Sequence, residues 1–144
     1  MKIQIYAIAS KSTDWFKQSF ATYQKRLPAH INLKLTTIPL SYRNKNSPIE
    51  EAMKKEGELL LTRINCQDTL IVMDEGGKTL STKDFSDWID QWLLNSINPI
   101  LAIGGPDGFS NAVHQRANKH LSLSKMTFPH ALVPVLLAEQ IYRA

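Results

Sequence analysis

The sequence predicts an α/β fold, a mainly parallel sheet with helices on both faces. Three observations carry that expectation. Short apolar runs rich in β-branched residues alternate with amphipathic stretches along the chain, and strand–helix alternation calls for crossover connections and parallel pairing. One run, Pro99 to Ile103, is apolar throughout, the pattern of a strand buried on both faces. Two runs stop on paired glycines, at Asp74-Glu75-Gly76-Gly77-Lys78 and at Gly104-Gly105-Pro106-Asp107-Gly108. In an open parallel sheet, ligands gather at the carboxyl ends of strands.

Taken in order, Lys2 to Ala9 alternates and is rich in Ile, which reads as the first strand. Ser12, Thr13 and Asp14 offer caps for a helix in which Phe16, Phe20, Tyr23 and Leu27 recur at helical spacing, a core-facing stripe that Pro28 ends. Ile31 to Ile38 gives a second strand. Pro39 to Ser47 is a polar loop holding Tyr42, Arg43, Asn44, Lys45 and Asn46. An aromatic beside two cations suits stacking a base and neutralising phosphate, and a plain solvated loop fits the same residues. Ser47 with Glu50 forms a capping box, with Pro48 at the first helical position. That helix is expected to reach about Ile64, with Ile49, Ala52, Met53, Leu59 and Leu60 mostly on one side.

Thr69 to Asp74 reads as another strand. Ser81 and Asp84 suggest a second capping box, after which Phe85, Trp88, Ile89, Trp92 and Leu93 keep the helical period as a packing stripe. Beyond the Pro99–Ile103 strand, Ser110 is placed to cap a helix through Ala112 and Val113 to about Lys119. Leu121 opens a short strand and an extended segment. From His130 or Ala131 to Tyr142 nearly every position is apolar except Glu139 and Gln140. Such a helix must be buried on more than one side, and a homodimer interface is the economical explanation. Pro134 fits only in its first turn.

The glycines after Ile103 admit two readings, a tight strand-to-helix turn or a loop where a ligand approaches the backbone closely. Neither Gly-x-Gly-x-x-Gly nor a Gly-x-x-x-x-Gly-Lys-Ser/Thr loop is present, so a pyrophosphate grip is not indicated. The 144 residues fit one domain, 1–144, large enough for a real core. The amino terminus has no cleavable signal pattern, and no apolar run approaches the roughly 20 residues a bilayer span needs. The single cysteine, Cys66, has no disulfide partner, and no Cys/His cluster has zinc spacing, so no metal is expected and a cytoplasmic location is the simplest. Residues 1–72 hold eleven Lys/Arg against six Asp/Glu, net +5, while 73–144 hold six against seven, net −1. A basic first half suits a polyanion such as RNA, and equally a mildly basic solvated surface.

At five places the chain resembles one family. These are the opening Lys-Ile-Gln-Ile-Tyr-Ala-Ile-Ala, the central Asp-Glu-Gly-Gly-Lys, Ile-Gly-Gly-Pro-Asp-Gly, Leu-Ser-Leu-Ser-Lys-Met-Thr-Phe-Pro-His and the closing Leu-Ala-Glu-Gln-Ile-Tyr-Arg-Ala. Together, in this order, they look like the ribosomal RNA large subunit methyltransferase H family of the SPOUT class. The resemblance runs end to end. It implies a carboxy-terminal trefoil knot, an exception to the unknotted rule, and a homodimer holding S-adenosylmethionine in the knot. It further implies methylation of a pseudouridine in 23S ribosomal RNA, at the ring nitrogen between the two carbonyls, on the assembled ribosome. Cofactor positions carried over by motif are Met73, Gly104 and Leu123, Ser124, Lys125, Met126, Thr127 and Phe128.

The reacting nitrogen must lose a proton, so a base or an anion-stabilising group is expected, with His130, Glu139 and Arg143 as candidates. Glu139 fits equally a helix or dimer contact, and Arg143 a terminal salt bridge. Arg43 and Lys45 are the candidate RNA contacts. The chain departs from the family twice. Relatives usually continue past Tyr-Arg-Ala with a tail rich in His, Pro, Tyr and Arg, whereas this chain stops at Ala144; turnover is then expected to suffer more than cofactor binding. Pro134 stands where relatives commonly carry Arg. A non-catalytic ribosome- or RNA-binding dimer that keeps the pocket is the alternative, and an unrelated doubly wound metabolite enzyme a third reading.

Overall fold

A computed structural model describes residues 1–9, 14–39, 49–104, 108–124, 126, 128–129 and 131–143. In chain order the elements are β1 (Lys2–Ala9), α1 (Asp14–Arg26), β2 (Asn32–Pro39), α2 (Ile49–Leu61), β3 (Leu70–Thr79), α3 (Thr82–Leu94), β4 (Ile100–Ile103), α4 (Asn111–Arg116), β5 (Lys119–Ser122) and α5 (Val133–Arg143). Among the described residues the strands form one five-stranded sheet in the order β2-β1-β4-β3-β5, and every pairing is parallel.

Alternation along each strand sorts the core into two layers. Ile3, Ile5, Ala7, Leu101, Ile103, Ile71 and Leu121 point to one face. There they meet Phe20 of α1, Phe85, Ile89 and Trp92 of α3, and Leu137, Ala138 and Ile141 of α5. Ile8, Ile38, Leu70, Val72, Ile100 and Ala102 point the other way, against Leu60 of α2, Val113 of α4 and Phe109. The expectation of helices on both faces therefore holds, and β4, buried at all four residues, is the central strand the sequence marked.

Several boundaries shift. β3 does not stop at Asp74: it continues to Thr79, with the Asp-Glu-Gly-Gly segment inside it. Met73 and Lys78 both pair with Leu121, so residues 74–77 bulge out of the ladder between them. α2 ends at Leu61, three residues early, because Arg63 N–H already bonds the Leu60 carbonyl at 3.0 Å in a closing turn. α4 ends at Arg116 and Lys119 begins β5. Asn118 causes that change. Its N–H donates to the Leu70 carbonyl and its Oδ1 accepts the Leu70 N–H, both at 2.8 Å, so strand pairing takes over from the helix. The Arg116 guanidinium ties the turn before β3 to this point, donating to the Asn65 and Asp68 carbonyls at 2.8 and 2.9 Å.

α5 begins at Val133 rather than at His130 or Ala131, after a turn in which Leu132 N–H bonds the Pro129 carbonyl at 3.0 Å. Pro134 sits in its first turn, where the missing N–H costs nothing. Much of the helix's apolar content is taken up by α1, α3 and the sheet of its own chain, so composition alone does not require a second copy. Ser81 caps α3, accepting the Asp84 N–H at 3.0 Å, as the capping-box spacing predicted. Ser110 takes the extended N-cap conformation of α4, but its hydroxyl makes no cap bond. The caps expected at Ser12, Thr13 and Ser47, with Pro48, lie outside the described residues.

α3 ends in a Schellman turn: Ile97 N–H bonds the Trp92 carbonyl at 2.8 Å and Ser96 N–H the Leu93 carbonyl at 3.3 Å. Ser96 occupies the left-handed position at φ 54°, where a side chain is strained and glycine is not. Replacing Ser96 with Gly is expected to stabilise the fold by about 1 kcal/mol, read as a higher denaturant midpoint at unchanged m-value. An unchanged or lower midpoint would contradict this.

A candidate cofactor cleft at the strand ends

Because all strands run parallel, β3, β4 and β5 leave the sheet near the same edge. Register aligns three side chains in this region: Met73, just before the bulge in β3, is opposite Ile103 on one side and Leu121 on the other. This row of Ile103, Met73 and Leu121 floors a cleft of about 330 Å³. Asp74 and Glu75 from the bulge form one wall, Gly104 and Gly108 another, and Ser122, Leu123, Ser124, Met126 and Phe128 a third, with Val133 of α5 closing the end. A smaller hollow of about 220 Å³ lies behind Leu121–Leu123 and Phe128, against Phe85 and Gln140.

Each wall depends on close backbone packing. A Cβ on Gly77 would fall 2.8 Å from the His120 carbonyl carbon and 2.9 Å from the Leu121 nitrogen. The bulge can therefore fold against β5 only without a side chain there. A Cβ on Gly104 would reach within 3.1 to 3.3 Å of Gly108 and Phe109, so these residues pack closely. Gly108 holds φ +80°. The third wall is stiffened by its own hydroxyls: Ser122 Oγ donates to the Ser124 carbonyl at 2.9 Å, and Ser124 Oγ accepts the Met126 N–H at 3.0 Å. At the first wall, Asp74 Oδ1 accepts the Gly76 N–H at 3.3 Å.

Comparison with known proteins gives the family of the whole chain. A family profile described as "Predicted SPOUT methyltransferase" matches residues 1–144. Proteins called ribosomal RNA large subunit methyltransferase H are similar along the whole chain. The one from Marinomonas sp. (strain MWYL1) is 41% identical over 144 residues, all of this chain and 93% of the relative. That from Francisella philomiragia is 36% identical with the same coverage. That from Acinetobacter baumannii (strain ATCC 17978) is 41% identical over 147 residues, covering 92% of the relative. The chain belongs to the SPOUT methyltransferase family.

Of the SPOUT positions carried over from motifs, the structure brings Met73, Gly104, Leu123, Ser124, Met126 and Phe128 into this one cleft. Lys125 and Thr127 lie outside the described residues, as do His130, Arg43 and Lys45. Glu139 and Arg143 do not line the cleft of their own chain. Arg143 stands ten positions beyond Val133, roughly 15 Å along the helix at its normal rise. There Arg143 Nε donates to Glu139 Oε1, Gln140 Nε2 donates to Glu139 Oε2 at 3.1 Å, and Thr82 Oγ1 donates to Gln140 Oε1 at 2.8 Å. The Glu139 side chain is 19% exposed and that of Arg143 63%.

The motifs did not single out Asp74, Glu75, Ile103, Gly108, Leu121, Ser122 and Val133 as site residues. A strand-register argument would have found Ile103 and Leu121, since both share a row with Met73. Among the described residues no group of three or more His, Cys, Asp or Glu side chains is placed to hold a metal, and no helix is long and apolar enough to cross a membrane.

The two glycines of the bulge give a matched test. Gly77→Ala drives a methyl into fixed β5 backbone and is expected to cost about 1–3 kcal/mol. At Gly76 the nearest atoms to a new Cβ are Asp74 carboxylate oxygens at 3.7 and 4.0 Å. Gly76→Ala is therefore expected to stay within about 0.5 kcal/mol of the parent. Equal effects in chemical denaturation would argue against the packed bulge.

Proposed function

We propose that the cleft holds S-adenosylmethionine and that the protein methylates a pseudouridine of 23S ribosomal RNA at the ring nitrogen between its two carbonyls, acting on the assembled ribosome as a cytoplasmic homodimer. One observation carries the reading: three chain segments, distant in sequence and each matching a family motif, line a single cleft. The relatives' name, ribosomal RNA large subunit methyltransferase H, supports the substrate class. The basic half of the chain suits an RNA partner.

The residues present fit the donor. Met73, Ile103, Leu121, Leu123 and Phe128 offer apolar surface for an adenine ring, and Gly104 and Gly108 leave room for close backbone approach. Asp74 and Glu75 line the same cleft and complement a cationic ligand. Lys125 and Thr127 complete the proposed set. When bound, S-adenosylmethionine supplies an electrophilic methyl on a sulfonium that leaves as a neutral thioether, so the protein's main task is alignment. The hydrogen bonds from Ser122 to Ser124 and from Met126 to Ser124 hold these residues of the wall in place, which reduces the ordering cost on binding.

In this reading His130 or Glu139 takes the proton from the target nitrogen, and Arg143, which cannot accept one, stabilises the resulting anion. Glu139 receives donors on both oxygens, from Arg143 and Gln140, which suits it to orient the guanidinium. Arg143, largely exposed, keeps further N–H groups for an anionic base or phosphate. Since α5 carries these groups away from its own cleft, they serve a second copy's cleft in the proposed dimer, with Arg43 and Lys45 as RNA contacts. The carboxy-terminal part is taken to be threaded as a trefoil knot around the donor.

Titration of the purified protein with S-adenosylmethionine, followed by radiolabelled methyl transfer to ribosomes lacking the modification, tests this. Saturable binding and labelling of 23S RNA are expected. Gly104→Ala should weaken binding about tenfold, a loss of about 1.4 kcal/mol, by pressing on Gly108. Binding without transfer would favour a non-catalytic RNA-binding dimer, and no binding would overturn the reading.

A further inference from the structure

We infer that Gly57, in the middle of α2 and outside the cleft, is a positioning residue that sets the far wall of the cofactor cleft through a notch filled by Ser110. The inference rests on the cleft being the cofactor site, as proposed above.

A glycine inside a helix costs stability relative to alanine, since it has the most backbone freedom to lose. α2 carries one at position 57 on its buried side, beside Glu56 and Leu60. The space its missing side chain leaves is taken. A Cβ there would stand 2.6 Å from Ser110 Oγ and 3.1 Å from Val113 Cγ2. Ser110 is the N-cap residue of α4, yet its hydroxyl makes no capping bond. The Ser110 hydroxyl therefore lies in the notch over Gly57, and α2 and α4 approach closely at that point.

What α4 begins with decides why this matters. Ser110 follows Phe109, buried in the same layer as Leu60 and Val113, and Phe109 follows Gly108, which lines the cleft. From the other side α4 is held to β5. His114 Nδ1 and His120 Nε2 are 3.2 Å apart in nearly parallel rings, and Phe109 lies edge-on to His114. The ring centroids are 5.3 Å apart, which fits two rings meeting edge to edge across a shared N–H better than a face-to-face stack. The start of α4 is thus clamped between the Gly57 notch and β5. Across from it, Gly104 packs closely enough that a Cβ there would meet Gly108 and Phe109 at 3.1 to 3.3 Å. Moving Ser110 outward moves Gly108 and opens or tilts that wall.

Two substitutions test the notch. Gly57→Ala fills it and should weaken S-adenosylmethionine binding by about fivefold or more, although it removes a helix-destabilising glycine. Adding Ser110→Gly to that variant clears the nearest obstruction and should restore affinity to within about twofold of the parent. In the free protein, amide hydrogen exchange at Gly108 to Val113 should rise in Gly57→Ala and return to the parent rate in the double variant. Should Gly57→Ala fold poorly, Ser110→Thr enlarges the other partner of the same contact and is expected to raise exchange over the same amides. Unchanged exchange in the single variants, or no rescue in the pair, would overturn the inference. If the parent protein does not bind S-adenosylmethionine, the functional reading falls, and the exchange comparison still decides the notch.

Discussion

The row Ile103–Met73–Leu121 is the constraint from which the site follows. Parallel pairing of β3 with both β4 and β5 fixes those side chains at one level, and the same pairings bury Ile71, Val72, Leu101 and Ala102 below them. A one-residue slip would turn each strand's apolar set to the wrong layer, so the register is held by the whole core. Once it is held, three chain segments distant in sequence converge near one edge, and the cleft forms between them.

Glycine then controls how closely those exits approach. Gly77 lets the bulge after Met73 lie against β5, and Gly104 packs closely against Gly108 and Phe109. Gly57 lets α2 accept Ser110 from behind. These positions share one physical theme, space for neighbouring atoms, rather than unusual torsion angles; among the described glycines only Gly108 has positive φ. The cost of placing flexible residues in ordered elements is offset by burial of the two apolar layers around them.

Much of this was legible in the sequence. β4 could be read because every residue from Pro99 to Ile103 is apolar, and α3 because Phe85, Ile89 and Trp92 keep the helical period over a Ser81 cap. The cleft's Met73, Gly104, Leu123, Ser124, Met126 and Phe128 came from motifs. The bulge in β3 was not legible. Gly76-Gly77 looks like a turn, and only pairing of Met73 and Lys78 with the same Leu121 reveals a strand that continues. The role of Ser110 was hidden for a related reason, since serine before a helix suggests a cap and its neighbour in space is fifty-three positions earlier. The partners that α5 finds within its own chain, α1 and α3, were likewise not legible from its apolar character. Distant partners of this kind leave no local pattern.

The most direct measurement of the central claim is a crystal structure of the protein with S-adenosylmethionine bound. Contacts to the ligand from all three segments, around Met73–Glu75, Gly104–Gly108 and Leu121–Phe128, are the expected result. A ligand gripped by a single segment, or seated elsewhere on the molecule, would contradict the claim that register across three parallel strands builds the site.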